Sequence, residues 1–311
     1  MSDALLGYAL ALGALLFFTS GILVTKIASR RIDLGLGFLV ATTVNVVFSG
    51  LAFLVQLSLR QTGAGWNAHA FWMFLAAGVF ATYFGRWFFY EAVIRFGPAK
   101  ASVFQISSPL FTALMAWLLM GERLSLLVVL GIVITVLGLM LVSYTPGSFI
   151  KKIPAAVAVE QVHAGLLPKS ILVLGLGSAL AYAVGNFLRG WGVREWNEPV
   201  LGGFLGASCG LLLHLAFTPA KMQLLQRFKT ASRSGVWLYA ALGVCTISGQ
   251  ILGIAAMRYI PLSIATLLTL CTPILVFPLS YLLFKNEDDI TPTVLAGSGL
   301  ALLGIFIIVM R

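Results

Sequence analysis

The chain alternates between long apolar runs and short polar breaks. The runs are about 20 residues or longer, the length a helix needs to cross bilayer hydrocarbon, and they follow one another from residue 4 to residue 310. Set against the charges and the Pro/Gly breaks, the pattern predicts helices over 4–26, 36–59, 69–95, 99–119 and 124–144. A second set is predicted over 170–191, 199–218, 235–258, 262–284 and 291–310. The expected fold is all-α, a polytopic membrane protein with ten transmembrane helices. Between the sets, Pro146, Gly147, Pro154 and Pro168 stand with Lys151, Lys152 and Glu160, so 146–169 is expected to be a linker between five-helix units at 1–145 and 170–311.

Sliding the second unit onto the first by about 164 positions brings punctuating residues into register. Gly13 and Gly21 fall on Gly177 and Gly185. Arg95-Phe96-Gly97-Pro98 falls on Arg258-Tyr259-Ile260-Pro261, and Pro109 on Pro273. Gly131 and Gly138 fall on Gly297 and Gly304, the offset drifting from 163 to 166 as though by single insertions. Five helices per copy is an odd number, so the second copy must enter the membrane upside down. That is the inverted-repeat plan of many secondary transporters, with the substrate site between repeats near the bilayer midplane.

Composition agrees: the chain is 60% hydrophobic and 10% charged, with mean hydropathy +1.01, far from soluble-domain usage. The net charge of +10 sits mostly in the breaks, where anionic lipid headgroups are the expected partners. No stretch supplies the continuous basic face a nucleic acid would need. Cys209, Cys245 and Cys271 lie in apolar spans without metal-ligand spacing and read as packing residues. Met1-Ser2-Asp3 lacks the basic start of a secretory signal, so the first run is expected to be retained.

Three rival classes lack their signatures. An intramembrane enzyme needs paired acids or a metal cluster, but Asp3, Asp33, Asp288 and Asp289 lie outside the predicted spans, and His69, His163 and His214 are scattered. A wide pore predicts more polar positions along several helices. No phosphate-binding loop occurs, so neither nucleotide nor any other cofactor is expected.

Ser107-Ser108-Pro109-Leu110-Phe111-Thr112-Ala113-Leu114, followed by Leu118-Leu119-Met120-Gly121-Glu122-Arg123-Leu124-Ser125 and Gly131, resembles the EamA-like transporters of the drug/metabolite transporter superfamily. The likeness runs over nearly the whole chain and is strongest between Glu91 and Val142. In the second copy Pro273 is kept, but the Gly-Glu turn is replaced by Lys285-Asn286-Glu287. The resemblance implies an exporter or exchanger of amino acids, other small metabolites or xenobiotics such as lipophilic cations, driven without ATP.

Arg86 is the sharpest candidate for chemistry. About 18 Å from Pro98 along a helix, it lies near mid-membrane, where a guanidinium costs at least about 2.5–3.5 kcal/mol and must face the bundle interior. Tyr83 and Tyr90 at i−3 and i+4 are expected on its face, with Trp87 beside them, forming an aromatic-walled clamp for a carboxylate or phosphate. The alternative is a permanent structural pairing with Glu91, with another helix's carbonyls or with water. Glu91 itself is either a proton carrier or the i,i+4 partner of Arg95. Asn45, Gln105, Asn186 and Gln250 are polar residues in apolar spans, which either line a substrate cavity or bond helix to helix. His214 is expected at the interface. For orientation, Arg60, Arg123, Arg189, Arg194, Arg258 and Arg311 are assigned to the termini and even-numbered loops, leaving the excess of basic residues in the odd-numbered ones. The positive-inside rule then puts both termini outside the cytoplasm, whereas the family resemblance implies the reverse.

Overall fold

The computed structural model describes residues 3–60, 65–105, 107–108, 110–112, 115, 126–143, 171–217, 221–284 and 291–309. All regular elements among them are helical. In chain order these are α1 (Asp3–Ala28), α2 (Leu34–Leu59), α3 (Ala68–Phe96), α4 (Pro98–Gln105), α5 (Leu126–Ser143) and α6 (Ile171–Glu195). The rest are α7 (Pro199–Phe217), α8 (Lys221–Thr230), α9 (Arg233–Tyr259), α10 (Leu262–Leu270), α11 (Pro273–Phe284) and α12 (Pro292–Val309). The expected linker 146–169, Pro109, the Gly121-Glu122-Arg123 turn and Lys285–Glu287 lie outside the described residues.

Among the described residues, six helices are long and apolar enough to cross a membrane: Asp3–Ala28, Leu34–Leu59, Ala68–Phe96, Pro199–Phe217, Arg233–Tyr259 and Ile264–Phe284, the last combining α10 and α11. The protein is a multi-pass integral membrane protein, and its surface shows why. Leu12, Leu51, Leu54, Leu212, Trp237 and Leu282 point outward and are exposed, while Asn45, Arg86, Gln105, Asn186, Arg189 and Gln250 are buried. A soluble fold distributes these residue types the other way round, and a continuous apolar exterior matches lipid.

Local chemistry sets the ends of the helices. Asp33 caps α2 by accepting from Leu36 N at 2.9 Å, and Asn67 caps α3 by accepting from Ala70 N at 3.0 Å. Gly97, at φ 87°, stops α3 one residue before Pro98, a backbone conformation open to glycine and strained for side chains with a Cβ. The second copy stops α9 at Ile260 in extended conformation instead.

Four features depart from the expected ten uninterrupted segments. The run 262–284 breaks at Cys271-Thr272, with Pro273 opening α11 as a first-turn proline that needs no donor. Likewise α4 ends at Gln105, with a turn at Ser107 before the chain is helical again at 108, 110–112 and 115. Between α7 and α9, the stretch expected to be a basic loop forms the short helix α8. Finally, α3 contains a π-helical segment over Gly78–Gly85, the form an α-helix takes where it absorbs an inserted residue.

The two copies pack reciprocally. A Cβ on Gly78 would lie 2.7 Å from Gly206 O and 2.9 Å from the Cys209 side chain. One on Gly243 would lie 2.7 Å from Ala41 O and 2.8 Å from the Val44 side chain. These pairs map onto each other at an offset of 165. Gly85 approaches Tyr182 as Gly249 approaches Phe18, at an offset of 164. Gly138 abuts Gly297 and Ala301 as Gly304 abuts Gly131 and Thr135, at an offset of 166. Residue i meeting the mate of j while j meets the mate of i is the signature of a two-fold axis. The offset falls from 165 to 164 across the π-helical segment, so that segment is one of the insertions behind the drift seen in the sequence. The direct mates α2 and α7 run antiparallel, since His214 Nε2 lies 3.0 Å from Gly35 O while Arg60 reaches Glu198.

Candidate functional site

Where α1, α3, α6, α9 and α10 converge, the bundle holds a partly open cavity of about 70 Å³. Arg86, Tyr90, Gln105, Asn186, Arg189 and Gln250 supply its polar and aromatic lining. Arg86 is 3% exposed and opens the α-helical part of α3, immediately after the π-helical segment. Its Nη2 donates to Gln250 Oε1 at 3.0 Å. Arg86 and Gln250 are 164 positions apart, the local repeat offset, so they are mates in contact with each other. Mates that touch lie at the two-fold axis, which places this bond between the copies.

Asn45 stands behind the guanidinium. With its amide oriented to satisfy both ends, its oxygen accepts from Arg86 Nη1 and its nitrogen donates to Ala41 O at 3.0 Å and Gly243 O at 2.6 Å. Thr246, the mate of Thr82, packs against the same amide. Gln105 enters from α4 and donates to Ser178 Oγ at 2.8 Å, and Ser178 in turn donates to Gly85 O at 3.0 Å. This chain satisfies a carbonyl beside the π-helical segment, whose irregular bonding frees acceptors that a membrane interior cannot leave unpaired.

The structure brings together five of the sequence candidates, Arg86, Tyr90, Gln105, Asn186 and Gln250, with Asn45 supporting the first. It separates the rest. Tyr83 and Trp87 pack edge-on against Phe38, and Trp87 also lies 5.5 Å from the His214 ring, outside the cavity. The i−3 spacing fails for Tyr83 because this residue sits inside the π-helical segment, where a turn takes more residues than in an α-helix. Glu91 also lies outside the cavity. Its carboxylate accepts from Arg95 Nε at 2.7 Å, one turn along the same helix, so it is not the partner of Arg86. His214, near the end of α7, is buried with its Nε2 3.0 Å from Gly35 O.

One cavity residue was misplaced by the sequence reading, which put Arg189 in a loop flank. In the structure α6 continues to Glu195, and Arg189 is 5% exposed. Its Nη1 donates to Asn186 Oδ1 at 3.3 Å and its Nη2 to Thr82 Oγ1 at 3.1 Å, while Nε has no partner among the described residues. A signal was available: Ser178, Tyr182, Asn186 and Arg189 fall at i, i+4, i+8 and i+11, one polar stripe along an apolar helix. Tyr182 neighbours both guanidinium groups, and the two cations are close enough to act on each other.

An all-helical, two-copy membrane bundle with a charged cavity on the axis between its copies has the architecture of a membrane transporter. Sequence comparison places it further: the EamA-like transporter family matches residues 5–144 and again residues 169–310. The chain belongs to that family, whose members are transporters of the drug/metabolite type. No curated protein matches the chain. A solved crystal structure of a protein shares the fold, with a TM-score of 0.61 and 17% identity over 98% of this chain and 96% of the other.

Proposed function

We propose that the protein is a secondary transporter that exports or exchanges small anionic or zwitterionic metabolites, amino acids or related compounds, by alternating access. In this reading ten transmembrane helices form two inverted five-helix repeats, divided near residues 146–169, and the copies rock about the cavity on their shared axis. One observation carries the substrate class. Arg86 is buried in the cavity and held by the neutral amide oxygens of Gln250 and Asn45, so its full charge faces the cavity without a carboxylate to cancel it. Neutral acceptors orient a guanidinium fork and leave its preference for an anion intact.

The same charge opposes a lipophilic cation, although Phe18, Phe89, Tyr90 and Tyr182 supply the aromatic wall such a ligand would use. Nothing in the arrangement requires a nucleotide, a metal or a reacting nucleophile, so substrate movement rather than bond chemistry is the proposed activity. The ion pair of Glu91 with Arg95 places proton coupling through that carboxylate outside the proposal.

The test is a thermal-shift screen of purified protein against amino acids, organic acids, sugar phosphates and lipophilic cations, since a ligand of the folded state raises its stability. Hits are then followed by counterflow in proteoliposomes. Anionic or zwitterionic hits that weaken about tenfold or more in Arg86→Gln support the reading. Stabilisation by lipophilic cations alone would overturn it.

A further inference from the structure

The cavity holds two guanidinium groups, and the described residues that line it include no carboxylate. Arg86 and Arg189 are 3% and 5% exposed, and their protein partners are all neutral: Gln250, Asn45, Asn186 and Thr82. Two like charges in a low-dielectric interior repel and are costly to leave unmatched. A singly charged substrate would cancel only one of them.

The Arg189 fork is also incomplete. Its Nε is buried and has no partner among the described residues, which costs free energy until an acceptor arrives. The Tyr90 hydroxyl, on the same cavity, likewise has no partner at hydrogen-bond geometry among the described residues. The space is small. About 70 Å³ is well below the roughly 300–1,000 Å³ of drug-sized sites.

We propose that the cavity binds a compact doubly charged anion, a short dicarboxylate or a phosphate monoester, with Arg86 taking one charge and Arg189 the other. This rests on the reading of Arg86 as a substrate ligand and adds a second cation from the opposite copy. Because Arg86 stands on α3 and Arg189 on α6, a bound dianion links the two repeats directly. A monoanion can satisfy only one.

The experiment compares succinate with its singly charged monoamide, and glycerol phosphate with glycerol, as ligands of the full-length protein in nanodiscs. Wild type is expected to bind succinate about tenfold or more tighter than the monoamide, the weight of one charge-assisted hydrogen-bond set. In Arg189→Gln that ratio should fall to within about threefold with monoamide binding kept, whereas Arg86→Gln weakens both.

Glycerol phosphate provides a readout in wild type that stands even if Arg189→Gln does not fold. With a second pKa of about 6, its affinity should climb between pH 5 and 7 and then level off. Whichever of the two dianions binds tells carboxylate recognition from phosphate recognition.

Two results would overturn the inference and leave the Arg86 reading standing: equal binding of succinate and its monoamide to wild type, or a ratio that survives in folded Arg189→Gln. Failure of every anion to bind would remove both.

Discussion

A close backbone contact between the two copies is made by α5 and α12, and it can be tested without knowing the substrate. A Cβ at Gly138 would lie 2.6 Å from Gly297 O, and one at Gly304 would lie 2.6 Å from Gly131 O and from Thr135 N. Ordinary contact begins near 3.4 Å, so an alanine at either position requires the helices to part by about 0.8 Å. The obstructing atoms are backbone and cannot rotate away. Overpacking of this kind costs about 1–3 kcal/mol, and a gap of 0.5–1 Å forfeits about a quarter to a half of each lost contact. Replacing glycine within a helix returns up to about 1 kcal/mol, leaving each substitution destabilising by about 1–2 kcal/mol. At about 2–4 °C per kcal/mol, Gly138→Ala and Gly304→Ala should each lower the thermal midpoint by about 2–8 °C. Gly299 is the control on the same helix, because a Cβ there meets nothing within 4 Å. Gly299→Ala should be neutral or slightly stabilising. The reciprocal geometry requires Gly138 and Gly304 to behave alike. If one is sensitive and the other silent, or if both match Gly299, the two-fold contact described here is wrong.

Other substitutions probe the site and the ends of the helices. Gln250→Glu would place a carboxylate against Arg86. It should raise the thermal midpoint of the ligand-free protein while removing anion-induced stabilisation, whereas Gln250→Leu should lower that midpoint, costing about 1.5–3 kcal/mol of stability through a lost bond to a charge. Arg60→Met removes the ionic partner of Glu198, whose side chain is 5% exposed and still accepts from Gln56 Nε2 at 3.3 Å, and should cost about 2–3 kcal/mol in denaturant unfolding. Arg227→Met releases the more open Asp33 and should cost under about 1 kcal/mol. Gly97→Ala forces a Cβ into φ 87° and should destabilise by about 1–2 kcal/mol, with Gly65→Ala, in open space, as the silent comparison.

The membrane-spanning helices and the duplication were legible because hydrophobic length and recurring Gly and Pro positions are written directly in the residues. Arg86, Gln250 and Gln105 stood out for the same reason: a polar side chain in a long apolar run has few places to go but inward. Register was harder. Tyr83 and Tyr90 bracket Arg86 at ideal α-helical spacing, yet only Tyr90 reaches the cavity, because Gly78–Gly85 is π-helical and no residue in that segment announces an insertion. Arg189 was misread for a different reason. Near the end of an apolar run, a cation looks like a membrane-surface residue, and only the stripe from Ser178 through Asn186 shows that its helix face turns toward the axis. The break at Cys271-Thr272 was half visible: Pro273 marked the place, whereas whether a proline kinks a helix or begins a new one is decided by its neighbours.

At opposite ends of the α2–α7 pair, one ionic clasp appears twice. Asp33 precedes α2 and holds Arg227 at 3.0 Å; Glu198 precedes α7 and holds Arg60 at 2.8 Å. Asp33 and Glu198 are 165 positions apart, so they are mates, and each carboxylate reaches a basic residue beyond the far end of the other copy's helix. Yet the environments differ. The Glu198 carboxylate is nearly sealed, at 5% exposure, and that of Asp33 is 29% exposed. Equivalent parts in unequal surroundings make the two clasps unequal in strength: the sealed Glu198 pair is the costlier one to break, and the more open Asp33 pair is the one that salt screens.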